Sequence, residues 1–171
     1  STEKRADSVR HLDLEAKGYK RRCFPVCFLD FFGKEGHPLR TTISELGPLL
    51  LSRLLGLNDV QSGVLQIVFR IADDSGLLLL DLKDLRSMLA HVGEERDQYK
   101  NQYGQISPAS VGAIQRALLG LEEEGGDRFF GEPALDVENL LKCDKDGLGI
   151  INILSADALI NAPQLYSCVL L

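Results

Sequence analysis

The sequence has no long apolar run and no cysteine pair of the CxxC type. A membrane-spanning helix needs about 20 consecutive apolar residues, so the missing run argues against a membrane protein. No signal-peptide pattern is visible, and we expect a cytoplasmic protein. Of the four cysteines, Cys23 and Cys27 lie among phenylalanine and valine residues. We interpret them as small buried hydrophobic residues in a reducing compartment, and we predict neither a zinc site nor a disulfide framework.

Positive charge is in the minority, with 19 lysines and arginines against 25 aspartates and glutamates, for a net charge of −6. Domains that grip a nucleic-acid backbone on their own are usually basic. The basic run at residues 17–22 is more typical of a solvated lead-in than of a phosphate-binding arm. We therefore predict no nucleic-acid binding by this chain alone.

A phosphate-binding loop is also missing. Its GxxxxGK[ST] pattern supplies backbone amides and a lysine to a nucleotide, whereas Gly33-Lys34 is followed by Glu35 and has no correctly spaced glycine before it. This matters for GLLLLDLKD at residues 76–84, which looks like an apolar strand ending in a magnesium-binding acid. Without a nucleotide that acid has no metal to hold, so we predict that Asp81 is the N-cap of a helix. We predict no catalytic residue, cofactor or metal in this chain.

The rest of the composition, 44% hydrophobic and 26% charged, is that of a globular chain long enough for one domain. Residues 1–23 are a polar lead-in, and residues 24–171 form a single domain. We predict a buried strand at residues 26–30, a second strand at 149–155 and a C-terminal helix at 163–171. Because the second strand is apolar on both faces, it favours a covered, parallel sheet.

Between the strands, about residues 42–142 have helical periodicity. The predicted N-caps precede apolar stripes: Ser44, Asn58 (with Gln61 in a capping box), Asp81, Ser107 (followed by Pro108) and Asp136. The predicted helix ends are Ser75-Gly76, Gly93 and Gly125-Gly126. Two strands cannot form a stable covered sheet alone. The pattern therefore predicts a mainly α fold with a small β component, in which a helical insertion is flanked by two strands of an incomplete α/β core.

The segment DKDGLGII at residues 144–151 resembles a calcium-binding loop. Asp144 and Asp146 occupy the first and third ligand positions, but the twelfth position, which needs a bidentate carboxylate, is Ser155. We therefore favour a tight turn into the second strand.

Three residues near the first strand are candidates for an interaction or a phosphate contact: His37, Arg40 and Thr41. His37 could serve as a base, but no nucleophile is identifiable beside it. Arg40 and Thr41 could bind a phosphate or face another subunit, or Thr41 could simply lead into a helix. These alternatives stay open.

The two ends of the sequence suggest a longer protein. The chain begins at Ser1, and it ends with YSCVLL inside an apolar run that has no cap or turn. A helix left open on its apolar side is a poor natural terminus. We expect a fragment with a truncated C-terminal helix.

Four co-linear stretches carry a resemblance to a known family: DFFGKEGHPLRTTISELGPLLLSRLLGLND (30–59), GLLLLDLKDLRSML (76–89), SVGAIQRALLGLEEEGGDRFFGEPALD (110–136) and GIINILSADALINAPQLY (149–166). They resemble the bacterial HerA-like P-loop ATPases of the YjgR group, within the HerA/FtsK superfamily. The likeness extends over about residues 24–171. Because these stretches are not catalytic motifs, they indicate a family more firmly than an activity.

The resemblance implies a place in a longer ATPase. The chain would be the internal segment between the Walker A loop and the Walker B strand, with two strands of a RecA-like core around a helical insertion. ATP and Mg²⁺ are implied for the parent protein only, as are DNA processing and a homo-oligomeric, often hexameric, ring. No Walker residue or arginine finger of the family corresponds to a position here.

Two functions remain in competition. In the first, the chain is a non-catalytic fragment of a HerA-like ATPase, and its helical insertion serves contact between subunits or with a partner. In the second, it is a self-contained helical protein-interaction module without an ATPase context. An enzyme with a site around His37 and Arg40 is a third, less favoured possibility.

Overall fold

The structure is a computed structural model that describes residues 11–12, 16–18 and 23–169, with the side chains of residues 158 and 169 excluded. The predicted lead-in at residues 1–23 lies mostly outside these residues, as do the last two residues of the predicted C-terminal helix. The strands are β1 (Val26–Asp30), β2 (His37–Pro38) and β3 (Ile151–Ser155). The helices are α1 (Ile43–Leu54), α2 (Asp59–Asp74), α3 (Leu82–Glu94), α4 (Arg96–Tyr103), α5 (Pro108–Glu123), α6 (Gly126–Phe129), α7 (Val137–Leu140) and α8 (Pro163–Val169), with a 3₁₀ turn (Asp157–Asn161) before α8. The mainly α fold with a small β component is confirmed, whereas a RecA-like core stays a prediction.

The three strands form one parallel sheet in the order β2-β1-β3. β1 and β3 pair along their whole length, from Val26 opposite Ile151 to Asp30 opposite Ser155. All the helices from α1 to α7 lie between these two strands in sequence. The pairing therefore places a long helical segment between two adjacent strands of one sheet.

The sequence did not predict β2, which pairs with the end of β1 after a loop of only six residues. Such a short connection between parallel strands forces the loop to double back against β1. Gly36 lies at the closest approach, because a Cβ atom there would come within 2.6 Å of the Phe28 carbonyl oxygen. Only glycine fits this contact without a shift of the backbone.

One face of the sheet is apolar and exposed in the described part of the chain. Val26 and Phe28 of β1 lie beside Ile151 and Ile153 of β3, and each of the four side chains is 42–55% exposed. The predicted parallel pairing is confirmed, but Val26 and Phe28 are not buried as predicted, since the described residues provide no cover for this face. The apolar residues of both strands are nevertheless those that a parallel sheet buries when helices cover it on both sides.

The helical segment has its own continuous core. α2 packs against α1, α3 and α5, and α5 also packs against α3. The central side chains are fully buried: Leu65, Ile71, Leu85, Leu89, Ile114, Leu118 and Leu121. The sheet joins this core through Phe31, whose ring stacks on that of Phe129 at a centroid distance of 4.4 Å.

Most predicted helix ends are confirmed. Asn58 and Gln61 form a capping box at the start of α2, Ser107 caps α5, and Asp136 caps α7. Two predictions are wrong, the Ser44 cap and the helix stop at Gly93. Thr42, not Ser44, caps α1, because Glu45 at the third helical position completes a capping box with it.

Gly93 does not end its helix, because α3 continues to Glu94. A Cβ atom at Gly93 would lie 3.4 Å from a methyl group of Val111. The small residue therefore allows close packing between α3 and α5 rather than a helix stop.

The cysteines differ from the prediction at one position. Cys23 is exposed and Cys27 is only half-buried, so the interpretation of Cys23 as a buried residue is wrong. Cys168, in α8, is buried, and this burial raises the pKa of its thiol to about 11. Its thiolate population at neutral pH is therefore negligible, which indicates a packing role.

Replacement of Gly36 tests the loop that brings β2 to β1. We expect Gly36→Ala to lower the free energy of unfolding by about 2 kcal/mol, because the new methyl group overlaps the Phe28 carbonyl. Gly63→Ala is the control, since Gly63 lies inside α2 with no atom within 4 Å of an added Cβ atom. The control should be as stable as the unsubstituted chain, or up to about 1 kcal/mol more stable, in urea unfolding followed by circular dichroism. Equal stability of the two variants would contradict the tight contact.

Candidate functional site

Arg40, which lies just before α1, makes hydrogen bonds to the segment that follows α6. Its Nη1 donates to the Glu132 carbonyl at 2.8 Å, and its own carbonyl accepts from the Leu135 amide at 2.8 Å. Its Nε is buried and has no hydrogen-bond partner among the described residues. The guanidinium therefore already serves a contact within the chain.

Thr41 and His37 have different surroundings. The Thr41 amide donates to the Phe129 carbonyl at 3.2 Å, and its hydroxyl donates to the Glu45 carboxylate at 3.2 Å. His37 is exposed on β2, opposite Leu29. Arg40 and Thr41 thus form one short segment, here called the strap, whose hydrogen bonds hold residues 129–135. His37 does not belong to the strap.

Asp30 was not among the residues predicted from the sequence. Its carboxylate is an anion bound by backbone amides of the loop that follows β1. Its carboxylate is buried at the end of β1 and accepts from the amides of Glu35 at 2.9 Å, Phe32 at 3.2 Å and Lys34. The bond from the Glu35 amide is the main cause that holds the pKa of Asp30 below its ordinary value, with the other two amides adding to it against the effect of burial. An aspartate directly before a Gly-containing turn is a sequence signal for such a site.

The leucine run before Asp81 is not a strand in the structure. The Leu79 and Leu80 carbonyls accept from the Ser44 and Ile43 amides, which are at the start of α1. These two carbonyls accept from amides of the first turn of α1, which have no acceptor within the helix.

The prediction that Asp81 is an N-cap is confirmed. The Asp81 carboxylate accepts from the amides of Lys83 at 2.8 Å and Asp84 at 2.9 Å. The Asp84 carboxylate bonds in return to the Asp81 amide, which completes a capping box at the start of α3.

The calcium-like segment is a turn, as predicted. Asp144 Oδ1 accepts from the amides of Asp146 and Leu148, both at 2.9 Å, and the Gly147 amide donates to the Asp144 carbonyl. Within the described residues, no group of three or more histidine, cysteine, aspartate or glutamate side chains is arranged to hold a metal ion. Nor does any helix of the described chain combine the length and the apolar character needed to cross a membrane.

A comparison with protein families identifies the chain. The family model described as Helicase HerA-like C-terminal matches residues 1–171. The chain belongs to this family. No curated protein and no solved structure matches it significantly. Membership of the HerA-like family agrees with the resemblance found in the sequence, whereas the place of this segment within a longer ATPase stays a prediction.

The HerA-like family implies a magnesium nucleotide, but the loop after β1 does not fit its phosphates. The loop after β1 directs three backbone amides at one carboxylate, much as a phosphate site directs amides at a phosphate. These amides already bind the Asp30 carboxylate, whose negative charge repels a phosphate at the same position. We therefore assign no step of nucleotide chemistry to these residues.

Removal of the Asp81 carboxylate separates a capping role from a catalytic one. We expect Asp81→Ala to lower the free energy of unfolding by about 1 kcal/mol, because α3 loses its N-cap. Asp73→Ala is a matched control at the other end of a helix, in the last turn of α2, where a carboxylate opposes the helix dipole. Its stability should be unchanged or slightly higher in the same urea titration. If Asp81→Ala is as stable as the control, the capping role is wrong.

The lowered pKa of Asp30 makes stability depend on pH. Because the folded-state pKa lies below the ordinary value of 3.8, the contribution is present at neutral pH and is lost as the pH falls from about 4 through the folded-state pKa. Asp30→Asn should cost about 2 kcal/mol at pH 7, since its amide cannot accept all three bonds. The variant should also lack this acid-dependent loss in urea unfolding at a series of pH values. An unchanged pH profile would show that Asp30 does not hold the turn.

Proposed function

We propose that this chain is a non-catalytic part of a HerA-like ATPase, in which a helical insertion between two adjacent core strands serves contact between subunits or with a partner. The parallel pairing of β1 with β3 is the observation that carries the proposal. In an α/β core, parallel neighbours are joined by a crossover of a dozen or more residues. Here seven helices with their own core take that place.

The exposed sheet face supports a larger parent protein. Val26, Phe28, Ile151 and Ile153 expose apolar surface on one side of the sheet. Parallel sheets are almost always covered on both faces, because their crossovers place helices there. Further sequence of the same ATPase would provide that cover.

The parent protein would carry the chemistry. ATP and Mg²⁺ would bind outside these residues, and the catalytic acids would also lie outside them. The parent would form a homo-oligomer such as a hexameric ring. DNA contact is also proposed for the parent alone, because this chain has a net charge of −6. The strap of Arg40 and Thr41 would keep the helical insertion in a fixed orientation on the core.

The alternative is a self-contained helical interaction module. The continuous buried core of α2, α3 and α5 favours it, because such a segment can fold without an ATPase around it. The native reading frame distinguishes the two proposals. Continuation past Leu171 into an apolar strand that ends in Asp-Glu supports the ATPase segment, and a stop directly after Leu171 supports the module.

Titration with magnesium-ATP tests the non-catalytic assignment directly. We expect no binding in the micromolar range by isothermal titration calorimetry, because the amides of the loop after β1 already donate to the Asp30 carboxylate. Lys34→Ala is the diagnostic variant, since Lys34 is the lysine of this loop. If the unsubstituted 171-residue chain binds magnesium-ATP in the micromolar range and Lys34→Ala does not, the loop is a nucleotide site and the proposal is wrong.

A further inference from the structure

The outer edge of β3 has unpaired backbone groups. In a parallel pair of strands, alternate residues direct their amides and carbonyls to opposite sides of the strand. The Ile151 amide donates to the Pro25 carbonyl at 2.9 Å, so the backbone groups of Ile151 and Ile153 face β1. Those of Asn152 and Leu154 face away from β1, and their amides have no acceptor among the described residues. One side of β3 therefore offers free donors and acceptors.

The sequence of β3 does not protect this edge from pairing. Natural edge strands are blunted by charged side chains, by proline or by a bulge. β3 has the sequence INILS, and its five pairs with β1 run in unbroken register. The approach to β3 is covered, because the Ile150 amide donates to the Lys142 carbonyl at 3.1 Å and Cys143 forms a bridge with Gly149. The open edge thus extends over residues 151–155.

The opposite edge of the sheet is partly occupied. β2 pairs there with Leu29 and Asp30 of β1. The loop before β2 also lies against Phe28, where a Cβ atom at Gly36 would come within 2.6 Å of the carbonyl oxygen. A new strand could pair with β1 only ahead of these residues, so β3 provides the longer free edge.

The connections of the sheet indicate the direction in which a further strand is added. A crossover between parallel strands of one sheet is almost always right-handed, so successive crossovers on the same side add strands in the same direction. The helical segment connects β1 to β3, and α8 follows β3 into the core of that segment, where Leu165 and Cys168 are buried. The Gln164 amide also donates to the Glu124 carboxylate at 3.1 Å. Both connections leave the same face of the sheet exposed, so a strand after α8 falls beyond β3.

We propose that the open edge of β3 is a strand-addition site, at which the first strand to follow α8 in the parent ATPase pairs in parallel with residues 151–155. This inference rests on the proposed function. The added strand would supply partners to the backbone of Asn152 and Leu154, and it would make β3 an interior strand. Ile151 and Ile153 agree with that position, because interior strands of parallel sheets are apolar on both faces.

Amide hydrogen exchange, measured at single residues by mass spectrometry, tests the proposal. It compares the 171-residue chain with the longer protein that the native reading frame encodes. In the 171-residue chain the amides of Asn152 and Leu154 should exchange rapidly, and in the longer protein their exchange should be at least about a hundredfold slower. The Ile153 amide is the internal control, because its bond to β1 should keep it slow in both proteins.

Substitution of Leu154 distinguishes strand pairing from simple cover. Proline lacks the amide that an added strand would accept from, and it is tolerated in a strand when that amide faces solvent. Leu154→Ala is the matched control, since it shortens the side chain and keeps the amide. The two variants should unfold at similar temperatures in the 171-residue chain. In the longer protein, Leu154→Pro should unfold at least about 3 °C below Leu154→Ala.

The outcomes separate this proposal from the proposed function. Slow exchange at Val26 and Phe28 of the longer protein, with rapid exchange at Asn152 and Leu154, would place the added strand on the other edge and overturn the proposal. Rapid exchange at all four amides would overturn it too, as would equal unfolding temperatures of the two variants in the longer protein. These results leave the assignment to an ATPase standing. A reading frame that stops directly after Leu171 would reject both.

Discussion

The parallel pairing of β1 with β3 is the constraint on which the rest of the structure depends. It brings residues 26–30 beside residues 151–155 and so closes a loop that contains all the helices from α1 to α7. The entropic cost of closing a loop grows only with the logarithm of its length, so a long insertion is tolerated when it stabilises itself. The buried core of α2, α3 and α5 meets that condition. The sheet therefore keeps its register while the helices fold around their own apolar residues.

The joint between sheet and helices is made by contacts that are distant in sequence. Phe31 directly follows β1 and stacks on Phe129, and the strap of Arg40 and Thr41 holds residues 129–135 by backbone hydrogen bonds. These contacts lie at the end of β1 and leave the apolar face of the sheet open. The helical segment is thus attached to the end of the strands rather than across them.

The sequence predicts the local features of this fold well. Asn58, Asp81, Ser107 and Asp136 cap their helices because each needs only an amide two or three residues later in the chain. Ser44 is not the cap because Thr42 and Glu45 form a capping box at this helix start, and the Ser44 hydroxyl instead accepts from the amide of Leu79, 35 residues later. The role of Arg40 depends in the same way on Glu132 and Leu135. Periodicity and capping rules contain no information about such distant partners. β2 was missed for another reason, since its two residues, His37 and Pro38, are too few to form a strand pattern.

The turn after β1 shows why family membership does not by itself assign chemistry to a segment. Three convergent amides after a parallel strand are the geometry with which many proteins bind phosphate. In this chain the anion is the carboxylate of Asp30, which is covalently held and needs no ligand. Its hydrogen bonds stabilise the turn that returns the chain to β2, and they occupy the donors that a nucleotide would need. The same backbone geometry therefore serves folding here.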